Sequence, residues 1–232
     1  MNIAVIPARG GSKRIPRKNI KHFYGKPILQ WPITAVMASG LFERVIVSTD
    51  DEEIAEIALA AGAEVPFYRP AELANDYAAT VPVIRHAIQA LGLSDSDIVC
   101  CIYPTAVFSR AADLRQAMAL LQETEADFVM PVTAYSCPLA RAMMIDAIGR
   151  LKLSLPQNEN TRTQDCDTFY HDVGQYYLGT AAAWLRDKAF YEQDVRALVT
   201  PRFLAQDIDT PDDWYFAELV FRAINEFSYD SK

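Results

Sequence analysis

Short apolar runs of strand type alternate with helical stretches over the first 130 residues, and that rhythm constrains the fold more than any other feature. Asn2–Pro7 is an aliphatic run that ends in a glycine-rich loop, as a buried strand would. Ile28–Ser39 predicts a helix stopped by Gly40, and Arg44–Ser48 predicts the second strand. Thr49-Asp50 reads as the cap of a helix over Asp51–Ala61, stopped by Gly62. Val65–Tyr68 reads as a third strand. Thr80–Leu91 reads as a helix with Pro82 in its first turn, where proline fits. Asp97–Tyr103 is a further strand, Ser109 opens a helix over Arg110–Thr124, and Asp127–Val132 returns to strand. This βαβα order predicts an α/β protein with a mostly parallel sheet and helices on both faces.

From about Ala134 the rhythm breaks. Met143–Asp146 and Leu151–Leu155, separated by Gly149, predict a β-hairpin, and Gln157–Thr168 is polar and irregular. The αβ pattern returns at Gly174–Leu178 and Ala205–Ile208 and closes with a helix from Pro211 to about Phe227. At 232 residues the chain reads as one domain of Rossmann-like layout with an insertion at about 135–170. The insertion cannot bury much of itself. It is either a lid or an arm packed on another copy, and the apolar Met143, Met144 and Ile145 favour the arm and a homodimer. Cys100, Cys101, Cys137 and Cys166 have no metal-ligand spacing and read as reduced thiols of a cytoplasmic protein. There is no run of 18 apolar residues and no secretory leader pattern at the start, so no membrane association is expected.

Charge is informative by position. The net charge is -8, which argues against a nucleic-acid surface. Residues 9–26 nevertheless carry Arg9, Lys13, Arg14, Arg17, Lys18, Lys21 and Lys26 and no acid. Such a stretch directly after the first strand sits where open α/β sheets bind ligands. Gly10 and Gly11 would let backbone N–H groups approach an anion, Arg9 can fork onto phosphate oxygens, and Lys13 and Lys18 supply point charges. The pattern is neither GxGxxG nor GxxxxGK[ST], which disfavours a dinucleotide fold and a P-loop ATPase. Near the other end, Asp207 and Asp209 flank Ile208. Read as a strand end, they share one face. Two carboxylates there can hold Mg²⁺ together with substrate phosphates. Acids near Thr210-Pro211 also suit a plain helix start, and Asp212 and Asp213 read as capping residues.

Ala8-Arg9-x-x-Ser12-Lys13 followed by Lys18-Asn19 resembles the signature of the CMP-sugar-acid synthetases, which include the acylneuraminate, legionaminate and pseudaminate cytidylyltransferases. Ile46-Val47-Ser48-Thr49-Asp50, Arg69-Pro70-Ala71-Glu72-Leu73, Tyr103-Pro104-Thr105 and Asp207-Ile208-Asp209-Thr210 match in family order across nearly the whole chain. Thr163-Gln164-Asp165 and the run Tyr170–Tyr177 resemble the pseudaminic acid branch, as does Tyr103, where sialate enzymes carry Gln. The resemblance implies a single nucleotidyltransferase domain that transfers CMP from CTP to the anomeric hydroxyl of a nine-carbon keto-sugar acid, releasing pyrophosphate. It implies Arg9, Lys18 and Asp209 as catalytic, with Mg²⁺ on Asp207 and Asp209. Substrate contacts would come from Ala8, Arg9, Gly11, Ser12, Lys13, Lys18 and Asn19 in the loop and from Arg69, Ala78 and Thr80 near the base. Tyr103, His171, Asp172, Gln175 and Tyr177 would line the sugar, with Arg162 reaching its carboxylate from the arm. No serine, cysteine or histidine is set up as a covalent nucleophile, which favours in-line attack on the α-phosphorus. Two rival classes remain: a glycosyltransferase using Asp-Ile-Asp as its metal motif, and a nucleotide-binding module without chemistry.

Overall fold

The structure is a computed structural model and describes residues 1–75 and 78–226. Its strands are β1 (Asn2–Pro7), β2 (His22–Phe23), β3 (Lys26–Pro27), β4 (Arg44–Ser48), β5 (Ile98–Ile102), β6 (Phe128–Ala134), β7 (Met143–Ile145), β8 (Leu151–Leu153), β9 (Tyr170–Asp172), β10 (Tyr176–Thr180) and β11 (Val195–Val199). Its helices are α1 (Gln30–Ser39), α2 (Glu52–Ala60), α3 (Thr80–Leu91), α4 (Ala111–Thr124), α5 (Ala181–Leu185) and α6 (Pro211–Glu226). The expected end of the last helix, Phe227, lies outside the described residues.

The main sheet runs β11-β6-β10-β5-β1-β4, with β9 added alongside β6. The pairs β1–β4, β1–β5 and β6–β11 are parallel, whereas β10 runs antiparallel to both β5 and β6, and β9 antiparallel to β6. The sheet is therefore mostly parallel, with β9 and β10 reversed. Period-two alternation sorts its side chains into two layers. Ala4, Ile6, Val45, Val47, Cys100 and Ile102 pack with Ile33, Val36, Ile54, Leu114 and Leu121 from α1, α2 and α4. Ile3, Val5, Ile46, Val99 and Cys101 pack with Ile84 and Ile88 of α3 and Trp184 of α5. Helices thus cover both faces.

Several expected elements differ. Val65–Tyr68 forms no strand; Glu64 and Tyr68 make only isolated parallel bridges to Ile46 and Thr49. The strand expected at Gly174–Leu178 occupies Tyr176–Thr180 and is antiparallel. Ala205–Ile208 is not a strand either. It follows a 3-10 turn, and Ile208 enters the core as a single plug. Edge strand β11, which has little apolar alternation, takes the last place in the sheet. Asp51, not Thr49-Asp50, caps α2, accepting the Ile54 N–H at 3.0 Å. Ser109 does not cap α4; its hydroxyl donates to Gln175. Gly40 and Gly92 end α1 and α3 with positive φ, as expected of helix-terminal glycine.

A third cluster fixes the functional end. Trp214, Ala217 and Phe221 of α6 pack against Phe23, Ile28, Val107, Phe108, Leu204, Ile208 and Ile15. Ile15 belongs to the basic loop and Ile208 stands between the paired aspartates, so one core anchors both. The insertion is the opposite case. β7 and β8 form the expected hairpin around Gly149, yet no residue from Ala134 through Asp172 is buried. Among the described residues no helix is long and apolar enough to cross a membrane. All four cysteines are free.

Candidate active site

A cavity of about 440 Å³ opens at the carboxyl ends of β1 and β5. Arg9, Ser12, Lys18 and Asn19 line it from the loop, and Arg69, Ala78, Thr80, Tyr103, Tyr177, Asp207 and Asp209 complete the expected part of its wall. Residues as far apart as Arg9 and Asp209 converge because β1 and β5 are sheet neighbours and α6 packs on Ile15 of the loop and on Ile208.

The basic wall is tied to the acidic one. Lys18 Nζ donates to the Ile208 carbonyl at 2.7 Å and to Asp209 at 3.1 Å. Arg14 meets the other Asp209 oxygen at 2.9 Å. Burial pushes the Asp209 carboxyl up, but Lys18 and Arg14 outweigh it and hold the group below the usual carboxylate range. Among the described residues no cation bonds Asp207: burial, and then the charge of Asp209, raise it against the weaker pull of Lys18. Gly174 makes room for Asp207. Its φ is 63°, and a Cβ there would meet the Asp207 carboxyl carbon at 2.9 Å, so glycine is required on both counts.

Arg69 is buried against Ser48, whose carbonyl and hydroxyl accept from its guanidinium. Burial, helped by the charge of Arg9, pushes Arg69 down to about 10, which still leaves it charged at neutral pH. Tyr103 and Thr80 share a hydrogen bond at 2.6 Å, and the Tyr103 ring meets Tyr177 edge to face at 5.9 Å. Tyr177 in turn donates to Asp172, and burial raises both phenols. Beyond these tyrosines a second hollow of about 190 Å³ is lined by Thr80, Val81, Tyr103, Tyr177, Trp184, Phe190 and Tyr191.

Other expected residues lie elsewhere. Gln175 turns away from the cavity, buried between the Leu204 carbonyl and the Ser109 hydroxyl. His171 is on β9, bonded to the Asp172 carbonyl and tilted against the Tyr135 ring at 4.8 Å, outside the wall. Arg162 stays in the insertion, at the start of the 3-10 turn Thr163–Asp165. Ala8 is buried beneath the loop, and Gly11 and Lys13 belong to the loop without lining the cavity. Gly10 does not offer its N–H to a ligand, because that group donates to Asp50 at 3.0 Å. Asn19 spends its amide nitrogen on the Arg9 carbonyl at 2.9 Å, closing the loop. Asp172, expected near the sugar, lines the wall, and Arg14, Thr105 and Gly174 line it without having been expected there. Arg14 carried a signal, as a cation two residues from Ser12.

The "Cytidylyltransferase" family model matches residues 3–203. The pseudaminic acid cytidylyltransferase of Campylobacter jejuni is 38% identical over 98% of this chain and 99% of its own length. The CMP-N,N'-diacetyllegionaminic acid synthase of Legionella pneumophila is 32% identical over 97% of each chain. A solved CMP:2-keto-3-deoxy-manno-octonic acid synthetase complexed with CTP covers 95% of this chain and 98% of that one, with TM-score 0.69 at 16% identity, which speaks for the fold. With matches of this extent over a basic loop and a paired-aspartate wall in one cavity, the chain belongs to the cytidylyltransferase family of nucleotide-transferring enzymes.

Proposed function

We propose that this chain transfers CMP from CTP to the anomeric hydroxyl of pseudaminic acid, a nine-carbon keto-sugar acid, with release of pyrophosphate. The observation that carries the reading is one cavity whose cationic loop wall, Arg9, Arg14 and Lys18, faces Asp207 and Asp209, with the aromatic hollow alongside. The 38% identity to the Campylobacter jejuni enzyme over nearly the full length supports the choice of sugar.

In this reading Arg9, Ser12 and Lys18 hold the β- and γ-phosphates and neutralise the charge that develops on the leaving pyrophosphate, while Lys13, off the wall, adds positive charge to the loop around them. Lys18 and Arg14 exchange Asp209 for phosphate oxygens as the nucleotide enters. Arg69, Ala78 and Thr80 flank the base, while Tyr103 and Tyr177 orient the sugar so that its hydroxyl stands in line with the α-phosphorus. Asp207 and Asp209 fit Mg²⁺: they are hard oxygen donors, and the raised Asp207 is a carboxyl whose charge wants a cation. Such an ion would polarise the α-phosphate and lower the pKa of the attacking hydroxyl.

We read residues 135–170 as an arm that packs on a second copy, making a homodimer, with Arg162 carried toward the neighbouring sugar. Met143, Met144, Ile145 and Leu151 are all more than half exposed, which a hairpin on its own cannot sustain as a stable unit. The free cysteines fit work in the cytoplasm, where CTP is available. The test is a coupled pyrophosphate assay with CTP and Mg²⁺ across a panel of keto-sugar acids. Turnover strongest with pseudaminic acid is expected. Preference for legionaminic or N-acetylneuraminic acid would move the substrate, and absence of pyrophosphate with every acid would overturn the reading.

A further inference from the structure

Arg17 and Lys18 are consecutive, yet their side chains leave the loop in opposite directions. Arg17 has φ 54°, a left-handed conformation that a non-glycine residue adopts only when its surroundings hold it there. That turn starts the 3-10 helix Lys18–Ile20, sends Lys18 into the cavity, and sends Arg17 behind the loop to the first turn of α2. There its guanidinium bonds both Asp51 oxygens, one of them at 3.0 Å, and Glu53 as well. Asp51 is itself fixed as the N-cap of α2. Gly10 closes the same contact from the other end of the loop. Its N–H donates to Asp50, and a Cβ on it would stand 2.5 Å from Asp51 Oδ2. The two acids at the start of α2 thus grip the loop at residue 10 and at residue 17, on either side of Ser12 and Arg14. None of Arg17, Asp51 and Glu53 lines the cavity.

We propose that Asp51 and Arg17 form a latch that positions the phosphate loop, so that they set the affinity for the nucleotide without touching it. A preformed loop spares the nucleotide the cost of ordering it. The bidentate geometry of Arg17 on a carboxylate supplies direction as well as attraction, and lysine in its place would not reproduce the fork. The inference rests on the reading of the cavity as a CTP site, but the loop's order can be measured without it.

The experiment compares the full-length protein with Asp51→Ser and Arg17→Ala. Serine keeps the N-cap and loses the reach to Arg17; Arg17 is half exposed and outside the core, so at least one variant will fold. Amide hydrogen exchange over residues 9–19 and the Michaelis constants for CTP and the sugar acid are read together. The expected result is exchange in the loop rising about tenfold or more and KM for CTP rising by about the same factor, with kcat and the sugar KM within about twofold. Arg17→Lys should recover only part of the CTP affinity. Unchanged loop exchange in both folded variants would overturn the latch. Faster exchange with an unchanged KM for CTP would overturn its role in nucleotide affinity. If the wild-type protein releases no pyrophosphate, the functional reading fails, and the exchange data alone decide whether the latch holds the loop.

Discussion

The basic loop at residues 9–26 and the insertion at 135–170 both interrupt the αβ rhythm, and they end up in opposite physical states. The loop is short and highly charged, but Ile15, Ile20 and Phe23 are buried, and Asn19 closes it on itself. Even its outlying cations are placed, with Lys21 over the Trp214 ring and Lys26 over Trp31. The insertion is longer and richer in large apolar side chains, yet none of them is buried. A charged segment becomes rigid when a few apolar residues anchor it to a core and its polar groups find fixed partners. An apolar segment without a core to pack on stays exposed on the chain.

The comparison breaks first at the reacting side. Asp209→Ala should lower turnover by at least about 100-fold, the scale seen when a group that stabilises developing charge is removed. The carboxylate is on the cavity wall, so circular dichroism and thermal unfolding should stay near wild type. Near-native pyrophosphate release in a folded variant would place the chemistry elsewhere.

Stability should distinguish the two regions next. Phe221 packs edge-on against Phe23, Trp31 and Phe108 beneath the loop. Phe221→Ala should therefore cost about 3–5 kcal/mol. Ile145→Ser in the hairpin should change the stability of the single chain by no more than about 0.5 kcal/mol, while the proposed homodimer should be weakened by it, as read by light scattering. Urea unfolding at low protein concentration measures both. Equal losses would mean that the insertion is as much a part of the core as the loop.

Within the loop, Arg9→Ala and Lys18→Ala should each raise KM for CTP about 10- to 150-fold, since hydrogen bonds to charged groups contribute about 1.5–3 kcal/mol each. The sugar KM should move little. Steady-state kinetics with each substrate varied in turn decides it, and a rise confined to the sugar would reassign the loop.

The smallest effect is in acid. Asp51 is held below the ordinary carboxylate range by Arg17, against burial and with help from the Ile54 N–H. A carboxyl lowered in the folded state stabilises above its unfolded value of about 3.9, and that stabilisation is lost as pH falls through the folded pKa. Asp51→Asn should therefore flatten the decline of the urea midpoint below about pH 4. Asp146 in the hairpin is also lowered, first by the Arg150 N–H, but its partners Arg150 and Lys152 belong to the same coreless hairpin, and Asp146→Asn should change that decline less than Asp51→Asn does.

Much of this was legible in the chain. Helix α3 and strands β1 and β4 fall where apolar periodicity puts them, because local pattern and burial agree there. Loop residues Arg9, Ser12 and Lys18 were legible because seven cations without an acid have few structural uses after a first strand. Gln175 was not. It lies in a matching motif, but it stands between the left-handed Gly174 and the first residue of β10, outside the strand's alternation, and its side chain is taken by Ser109 and Leu204 while Tyr177 lines the cavity.

By itself, then, the sequence determined the α/β layering, the cationic loop after the first strand and the paired aspartates near the end, since all three depend on spacing along the chain. The tertiary structure alone decided that β10 runs antiparallel and that Ala205–Ile208 is no strand. It alone decided that Arg17 faces away from the cavity that Lys18 enters. Strand direction, edge position and the aim of a side chain at a left-handed turn are set by what packs against them. Those neighbours, such as Asp51 for Arg17 and Ile208 for Lys18, lie 34 and 190 residues away in the chain.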